Sequence, residues 1–274
     1  MNRKAIFLDI DGTMVPIGGV LPDPARDALQ RAHDNGHLLV LCSGRSRCQM
    51  NISNLPLDLF DGIISCSGAC VTRNGEILVS HFMDQAHVRQ MEDLFAEQHM
   101  AFFFQTEEAT LAPAWSKEQL LSSMETLGRD TTEIRKFVDN IELYEDCGAL
   151  EHVEKAVYYD ALLTAEEVHA RLGTDYFQVT DSSFRVSRFC DGEVTRRGIT
   201  KASGMEALLD AAGIPREDSI GIGDGPNDLE MIEYANIGVA MGNAVPALKR
   251  SADIIFGHID HDGFRQGFQA LGLI

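Results

Sequence analysis

One stretch near the start of the chain, residues 5–13, reads Ala-Ile-Phe-Leu-Asp-Ile-Asp-Gly-Thr. Its first four residues are apolar, with β-branched and aromatic side chains, as is typical of a buried strand. Asp9 and Asp11 follow two positions apart, so on an extended chain both project to the same side. Because burying carboxylates together costs free energy, the pair indicates a cation or a catalytic task, with an ordinary strand end as the alternative.

The overall charge narrows the classes of partner. The chain has 274 residues and a formal charge of −19, from 23 basic and 42 acidic side chains. This balance disfavours nucleic acid and anionic membrane surfaces as partners. Only four apolar residues separate Lys4 from Asp9, whereas the apolar segment of a signal peptide has about 7–15 residues. With six cysteines that form no Cys-x-x-Cys pair, we expect a cytoplasmic protein with reduced thiols.

The next segments predict a parallel sheet. Asp23 and Pro24 are typical of a helix start, and Gly36 follows the helical stripe as a stop signal. Residues 37–41 form a second apolar run, which ends at Ser43 and Gly44. A strand–helix–strand unit with apolar strands predicts an α/β fold, and such sheets bind ligands at the carboxyl ends of their strands.

The pattern of predicted strands and helices changes between residues 84 and 186. Short strands are predicted at 102–104, 157–159, 176–179 and 184–187, the last two partly alternating, with helices between them. We therefore predict a doubly wound, mostly parallel core domain made of residues 1–83 and 187–274. An α+β domain of residues 84–186 is expected to be inserted into it.

Further polar groups follow at strand and helix ends. Asp224, Asn227 and Asp228 come after an apolar strand at 219–222, and Lys201 opens a helix. Three or more carboxylates at one site suit a hard cation with oxygen ligands, Mg²⁺ before zinc. A lysine with hydroxyl and amide donors beside such a cation suits phosphoryl transfer, in which a carboxylate can be the nucleophile.

Four segments of the chain resemble the ordered motifs of the haloacid dehalogenase (HAD) superfamily, and in particular its Cof-type phosphatase branch. They are Asp9-Ile10-Asp11-Gly12-Thr13, Cys42-Ser43-Gly44-Arg45, Arg197-Gly198-Ile199-Thr200-Lys201 and Gly223-Asp224-Gly225-Pro226-Asn227-Asp228. The resemblance implies a Rossmann-like core with an inserted cap domain that closes over the site. The sequence departs from the branch's usual Asn-Gly-Ala at Ser67-Gly68-Ala69, which affects a loop contact.

The resemblance also implies roles for individual residues. Asp9 would be the nucleophile and Asp11 the general acid and base. Asp9, the backbone carbonyl of Asp11 and Asp224 would hold Mg²⁺, with Asp228 orienting that shell. The implied phosphate-binding groups are Ser43, the Gly44 amide, Lys201 and Asn227.

The resulting hypothesis is a Mg²⁺-dependent phosphatase that acts on a small phosphorylated metabolite, such as a sugar phosphate, through an aspartyl-phosphate. A phosphomutase with the same intermediate is one alternative, and a non-enzymatic phospho-acceptor regulator is another. Arg45, Trp115 and Arg188 are candidates for contacts to the leaving group, with surface or packing roles as the alternative.

Overall fold

The computed structural model describes residues 3–17, 19–126, 132–182 and 189–274. The chain divides into two units. The first unit comprises Met1–Arg45, Met50–Ser80 and Ile199–Ile274, and the second comprises Ser46–Gln49 and His81–Gly198.

The strands of the described chain are numbered in sequence order. They are β1 (Ala5–Leu8), β2 (Leu38–Cys42), β3 (Gly62–Ser65), β4 (Cys70–Arg73), β5 (Glu76–Ser80), β6 (Ala101–Gln105), β7 (Thr110–Ala112), β8 (Glu142–Leu143), β9 (Lys155–Ala161), β10 (Phe177–Asp181), β11 (Cys190–Arg196), β12 (Ser219–Gly223), β13 (Ile237–Ala240) and β14 (Ile254–Ile255).

The α-helices are numbered in the same way. They are α1 (Asp23–Asp34), α2 (Gln85–Glu97), α3 (Ala114–Thr126), α4 (Thr132–Asp139), α5 (Ala165–Leu172), α6 (Lys201–Ala212), α7 (Leu229–Tyr234), α8 (Pro246–Ser251) and α9 (Gly263–Ala270). No helix of the described residues has the length and apolar character needed to cross a membrane.

The sheet of the first unit has the strand order β14-β13-β12-β1-β2-β3-β4-β5. The strands from β14 to β3 pair in parallel, and β4 and β5 add an antiparallel edge. Since β12, β1 and β2 are parallel neighbours, their carboxyl ends lie side by side. The predicted doubly wound α/β core is confirmed. Its strand β1, with which the stretch 5–13 begins, lies in the middle of the sheet.

Both faces of this sheet are covered by helices. Ile6 and Leu8 of β1 pack on one face with α1 and α9, whereas Ala5 and Phe7 pack on the other with α6, α7 and α8. This explains why the strand is apolar at every position and shows no alternation. Asn74 and Gly75 have positive φ angles of 51° and 83° between β4 and β5, as the two-residue turn that an Asn-Gly pair predicts requires.

The second unit is α+β. Its sheet has the strand order β10-β11-β9-β6-β7-β8 and is antiparallel except for the β7–β8 pair. One apolar cluster joins the sheet to α2 and α5, and a second joins it to α3 and α4. The unit extends to Gly198, so it includes β11, which the sequence-based division at 186/187 assigned to the core; those boundaries stay predictions.

One prediction from the sequence is wrong in this region. The Asp191-Gly192 pair predicts a turn by its composition, but both residues lie inside β11, where the register shifts between Cys190 and Gly192. A Cβ atom at Gly192 would lie 2.2 Å from the hydroxyl oxygen of Tyr158, so the glycine permits close packing of the ring. The predicted strand at 184–187 and the candidate Arg188 lie outside the described residues, as does Leu127, for which the spacing of apolar residues from 120 to 127 predicts a helix.

Candidate active site

A buried lysine joins two of the carboxylates at the carboxyl ends of the central strands. Lys201 Nζ donates to Asp9 Oδ1 at 2.6 Å and to Asp228 Oδ1 at 2.5 Å, and its side chain is fully buried. Lys201 is the first residue of α6, and the Thr200 hydroxyl caps that helix by accepting from the Ser203 N–H. The cap fixes the start of the helix and thereby the direction of the lysine side chain.

Asp228 has both carboxylate oxygens engaged. Oδ1 accepts from Lys201, and Oδ2 accepts from the backbone N–H groups of Asp224 and Gly225 at 3.0 and 2.9 Å. A Cβ atom at Gly223 would lie 2.4 Å from the carboxyl carbon of Asp228, so the end of β12 must be glycine for the carboxylate to fit. Asp228 therefore orients the loop that carries Asp224.

The site carries an excess of negative charge. Carboxylate oxygens of Asp9, Asp224 and Asp228 lie within 4.8 Å of one another. Burial, followed by the carboxylate of Asp228, raises the pKa of Asp9 well above its usual range, while Lys201 opposes the shift. Burial and the carboxylate of Asp228 also raise the pKa of Asp224 to about 7. For Lys201, burial lowers the pKa, but the carboxylates of Asp228 and Asp9 outweigh it and raise the pKa above its usual range.

This donor set fits a divalent cation with oxygen ligands. One ammonium cannot balance three converging carboxylates, and the described residues bring no histidine or cysteine ligand into the group. Among those residues, none donates a hydrogen bond to Asp9 Oδ2, so this oxygen is not engaged by a neighbouring side chain.

Two residues that the sequence reasoning did not assign hold Asp224. Thr13 Oγ1 donates to Asp224 Oδ1 at 2.9 Å, and Asn243 Nδ2 lies 3.5 Å from Asp224 Oδ2. Thr13 stands within the stretch 5–13, and Asn243 belongs to the Gly-Asn-Ala segment 242–244. Their positions in those motifs were visible, but their partners were not.

Asp11 stands apart from this carboxylate group. Its side chain accepts two hydrogen bonds from the guanidinium of Arg45, from Nε at 2.8 Å and from Nη2 at 2.6 Å. The argument from strand alternation does not extend to Asp9 and Asp11, because β1 ends at Leu8. Arg45 thus has an acidic partner within the first unit.

The other predicted phosphate-binding residues lie on the loops after β2 and β12, the two strands that flank β1. Ser43 directly follows β2 and is buried; its Oγ accepts from the Arg45 N–H at 3.1 Å. Gly44 follows it, and Asn227 is half-buried in the 3₁₀ turn Pro226–Asp228 after β12. The structure thus brings Asp9, Asp224, Asp228 and Lys201 into direct contact or close approach, and puts Ser43, Gly44 and Asn227 at the ends of adjoining strands.

The loop Cys66-Ser67-Gly68 braces two of these segments. Ser67 N–H donates to the Ser43 carbonyl at 3.0 Å, and a Cβ atom at Gly68 would lie 2.1 Å from the Thr200 carbonyl oxygen. The loop therefore packs between the end of β2 and the start of α6. Trp115 lies in the second unit, where its ring packs against Phe102 at a centroid distance of 5.6 Å.

The fold and site define a class: a doubly wound α/β protein with carboxylates and a lysine at the carboxyl ends of its central parallel strands. A family model described as haloacid dehalogenase-like hydrolase matches residues 6–267. The chain belongs to this family, and it is a phosphatase.

Relatives of known name agree with this assignment. The chain is similar to the 5-amino-6-(5-phospho-D-ribitylamino)uracil phosphatase YwtE of Bacillus subtilis, with 27% identity over 95% of each chain. It is 23% identical to the pyridoxal phosphate phosphatase YbhA of Escherichia coli, over 97% of each chain. Among solved structures, the HAD subclass IIB sugar phosphatase BT4131 superposes with a TM-score of 0.82 at 26% identity, covering 99% of this chain and 100% of that one.

Proposed function

We propose that the protein is a Mg²⁺-dependent phosphatase that hydrolyses small phosphate monoesters through an aspartyl-phosphate on Asp9. The observation that carries the proposal is the contact of Lys201 with both Asp9 and Asp228, beside Asp224, at the carboxyl end of β1. A buried ammonium can orient the attacking carboxylate and stabilise charge that develops on the phosphoryl oxygens.

In the first step, Asp9 Oδ2 attacks phosphorus while the bond from phosphorus to the ester oxygen breaks. The departing oxygen takes a proton from Asp11, which leaves Asp11 as a carboxylate. In the second step, Asp11 takes a proton from water as the water oxygen attacks the same phosphorus. The bond between phosphorus and Asp9 then breaks, which returns the Asp9 carboxylate and releases inorganic phosphate.

Asp9 and Asp224 would hold Mg²⁺, together with the Asp11 backbone carbonyl, and Asp228 would orient Asp224. When bound, the cation offsets the repulsion between Asp9 and an anionic substrate and adds positive charge near the transferring group. Ser43, the Gly44 amide and Asn227 are proposed to donate hydrogen bonds to phosphoryl oxygens, because they flank Asp9 on adjoining strand ends.

The proposed substrates are phosphate monoesters of small polyhydroxylated or heterocyclic metabolites. Support comes from the names of the similar proteins, which act on a ribityl phosphate, on pyridoxal phosphate and on sugar phosphates. The second unit, which interrupts the first in sequence, is proposed to set the preference among them.

The test is phosphate release from pyridoxal 5′-phosphate, sugar monophosphates and p-nitrophenyl phosphate, with Mg²⁺ present and with it chelated. We expect release only with Mg²⁺, and we expect Asp9→Asn to abolish it because an amide is a poor nucleophile. The control Asp58→Asn removes an exposed carboxylate of the same unit and should keep full activity.

Trapping distinguishes the mechanism from direct attack by water. Acid quenching during turnover should recover a phosphoprotein that hydroxylamine cleaves, as an acyl phosphate requires, and Asp9→Asn should yield none. Turnover by Asp9→Asn close to that of the wild type would refute the proposed nucleophile. Release of an isomerised sugar phosphate in place of phosphate would favour a phosphomutase.

A further inference from the structure

Asn243 makes three contacts to three separate segments of the first unit. Its Nδ2 donates to the Gly12 carbonyl at 2.7 Å and lies 3.5 Å from Asp224 Oδ2, and its Oδ1 accepts from the Ile259 N–H at 3.2 Å. The carbonyl of Gly12 demands a donor and the amide of Ile259 demands an acceptor. The orientation of the side-chain amide is therefore fixed by its partners.

The loop that carries Asn243 is itself held firmly. Gly242 N–H donates to the Gly257 carbonyl at 3.0 Å, and the Lys249 ammonium donates to the Gly242 carbonyl at 2.5 Å. One residue beyond Ala244, the Val245 N–H donates to the backbone carbonyl of Asp224 at 3.0 Å. The backbone of this loop is thus fixed on both sides of Asn243, and the loop holds the Asn243 side chain against Asp224.

Side chains contact both oxygens of the Asp224 carboxylate. Thr13 donates to Oδ1 at 2.9 Å, and Asn243 approaches Oδ2. The backbone of Gly12 also packs directly against this carboxylate, because a Cβ atom at Gly12 would lie 2.2 Å from Asp224 Oδ2. The φ angle of Gly12, +86°, is one that glycine adopts without strain. Asn243 links the two groups, since its amide nitrogen reaches both the Gly12 carbonyl and the Asp224 carboxylate.

We infer that Asn243 is a positioning residue, which fixes the plane of the Asp224 carboxylate against the Gly12 turn and so sets the affinity of the site for its divalent cation. The inference rests on the proposed function, in which Asp224 is a metal ligand. A carboxylate whose oxygens each accept one hydrogen bond keeps a lone pair on each for a cation. Fixing its plane removes the cost of ordering it when the cation binds.

The first test measures Mg²⁺ binding directly, by titration calorimetry on the full chain without substrate. Asn243→Ala should weaken Mg²⁺ binding by about 10–100-fold, the range for loss of a side chain that orients a metal ligand. Asn243→Ser, a milder change that is also too short to reach both partners, should weaken it in the same direction. Either variant that folds serves the test.

The matched control is Asn35→Ala. Asn35 Nδ2 also donates to a backbone carbonyl, that of Leu273 at 2.9 Å, so the control removes the same kind of hydrogen bond elsewhere in the unit. Its Mg²⁺ affinity should equal that of the wild type even where its melting temperature falls. If both alanine variants leave Mg²⁺ affinity unchanged, Asn243 is a structural residue only and the inference is overturned.

A double-mutant cycle with Thr13→Val adds a second criterion. Because Thr13 and Asn243 hold two oxygens of one carboxylate, the loss in the double variant should differ from the product of the single losses. Independent effects would count against a shared action on Asp224. A wild-type chain whose Mg²⁺ binding is absent, or unaffected by Asp224→Asn, would overturn the proposed metal site itself, which separates that failure from a failure at Asn243.

Discussion

Arg45 and Asp11 form a bidentate ion pair, with Nε 2.8 Å from Oδ2 and Nη2 2.6 Å from Oδ1. Arg45 is the second residue after Ser43, and Asp11 is the second residue after Asp9. A guanidinium with this geometry binds the ionised form of a carboxyl group. The pair therefore fixes the orientation of the Asp11 carboxyl group, which the proposed mechanism uses in both proton transfers.

The first prediction concerns the orientation of Asp11. Arg45→Met removes both hydrogen bonds that fix the Asp11 carboxyl group, so both proposed proton transfers should slow. The steady-state rate of phosphate release should fall by about 10–100-fold. Arg47→Met is the control, because Arg47 also forms a surface-accessible pair, with Glu107 at 2.5 Å.

Stability separates this effect from damage to the fold. Both pairs are partly exposed, so each variant should lose about 1 kcal/mol or less of unfolding free energy. Phosphate release by Arg45→Met at the wild-type rate would contradict the orienting role given to the pair.

The second prediction concerns Lys201. Lys201→Met leaves the carboxylates of Asp9 and Asp228 buried without their shared cation, and breaking a buried pair in this way costs about 3–5 kcal/mol. Denaturant unfolding in the presence of a chelator should show this loss. Mg²⁺ should restore part of it, because the ion replaces positive charge in the same carboxylate group. A loss that Mg²⁺ leaves unchanged would mean that the cation does not bind there.

The sequence predicted the sheet that positions the site because uninterrupted apolar strands and their polar ends are local signals. Asp9, Ser43 and Asp224 could be put at neighbouring strand ends on that basis. Their side-chain partners could not be predicted, since Lys201 meets Asp9 across 192 positions and Asn243 meets Gly12 across 231. β11 was missed for another reason: Asp191 and Gly192 have the composition of a turn, and only pairing with strands on both sides makes them part of a sheet.

The third prediction concerns Ser67, which stands where the family branch usually has asparagine. Its φ and ψ of 56° and 30° are left-handed, which costs a serine free energy, and its buried Oγ makes no hydrogen bond within the described residues. Ser67→Gly relieves this strain but gives the unfolded chain more conformational entropy, which offsets part of the gain. We expect a net rise of about 1 kcal/mol in the free energy of unfolding. Asn74→Gly, at an exposed left-handed position where asparagine is already tolerated, should give no gain. Equal shifts in the two variants would contradict this account.

The last prediction concerns the pH dependence of stability at His37. His37 is buried, and its Nδ1 accepts a hydrogen bond from the Lys4 N–H at 3.1 Å, which requires an unprotonated nitrogen. Burial, and then the charge of Lys4, lowers the pKa of His37 below its usual value of 6.5.

The folded chain therefore binds fewer protons at this residue than the unfolded chain does. The stabilising contribution of neutral His37 is complete above pH ~6.5 and is lost as the pH falls through the lowered pKa. The difference in unfolding free energy between wild type and His37→Gln, which keeps an acceptor but does not titrate, should shrink below pH ~6.5. A difference between wild type and His37→Gln that stays constant from neutral to acidic pH would show that His37 is not held in its neutral form.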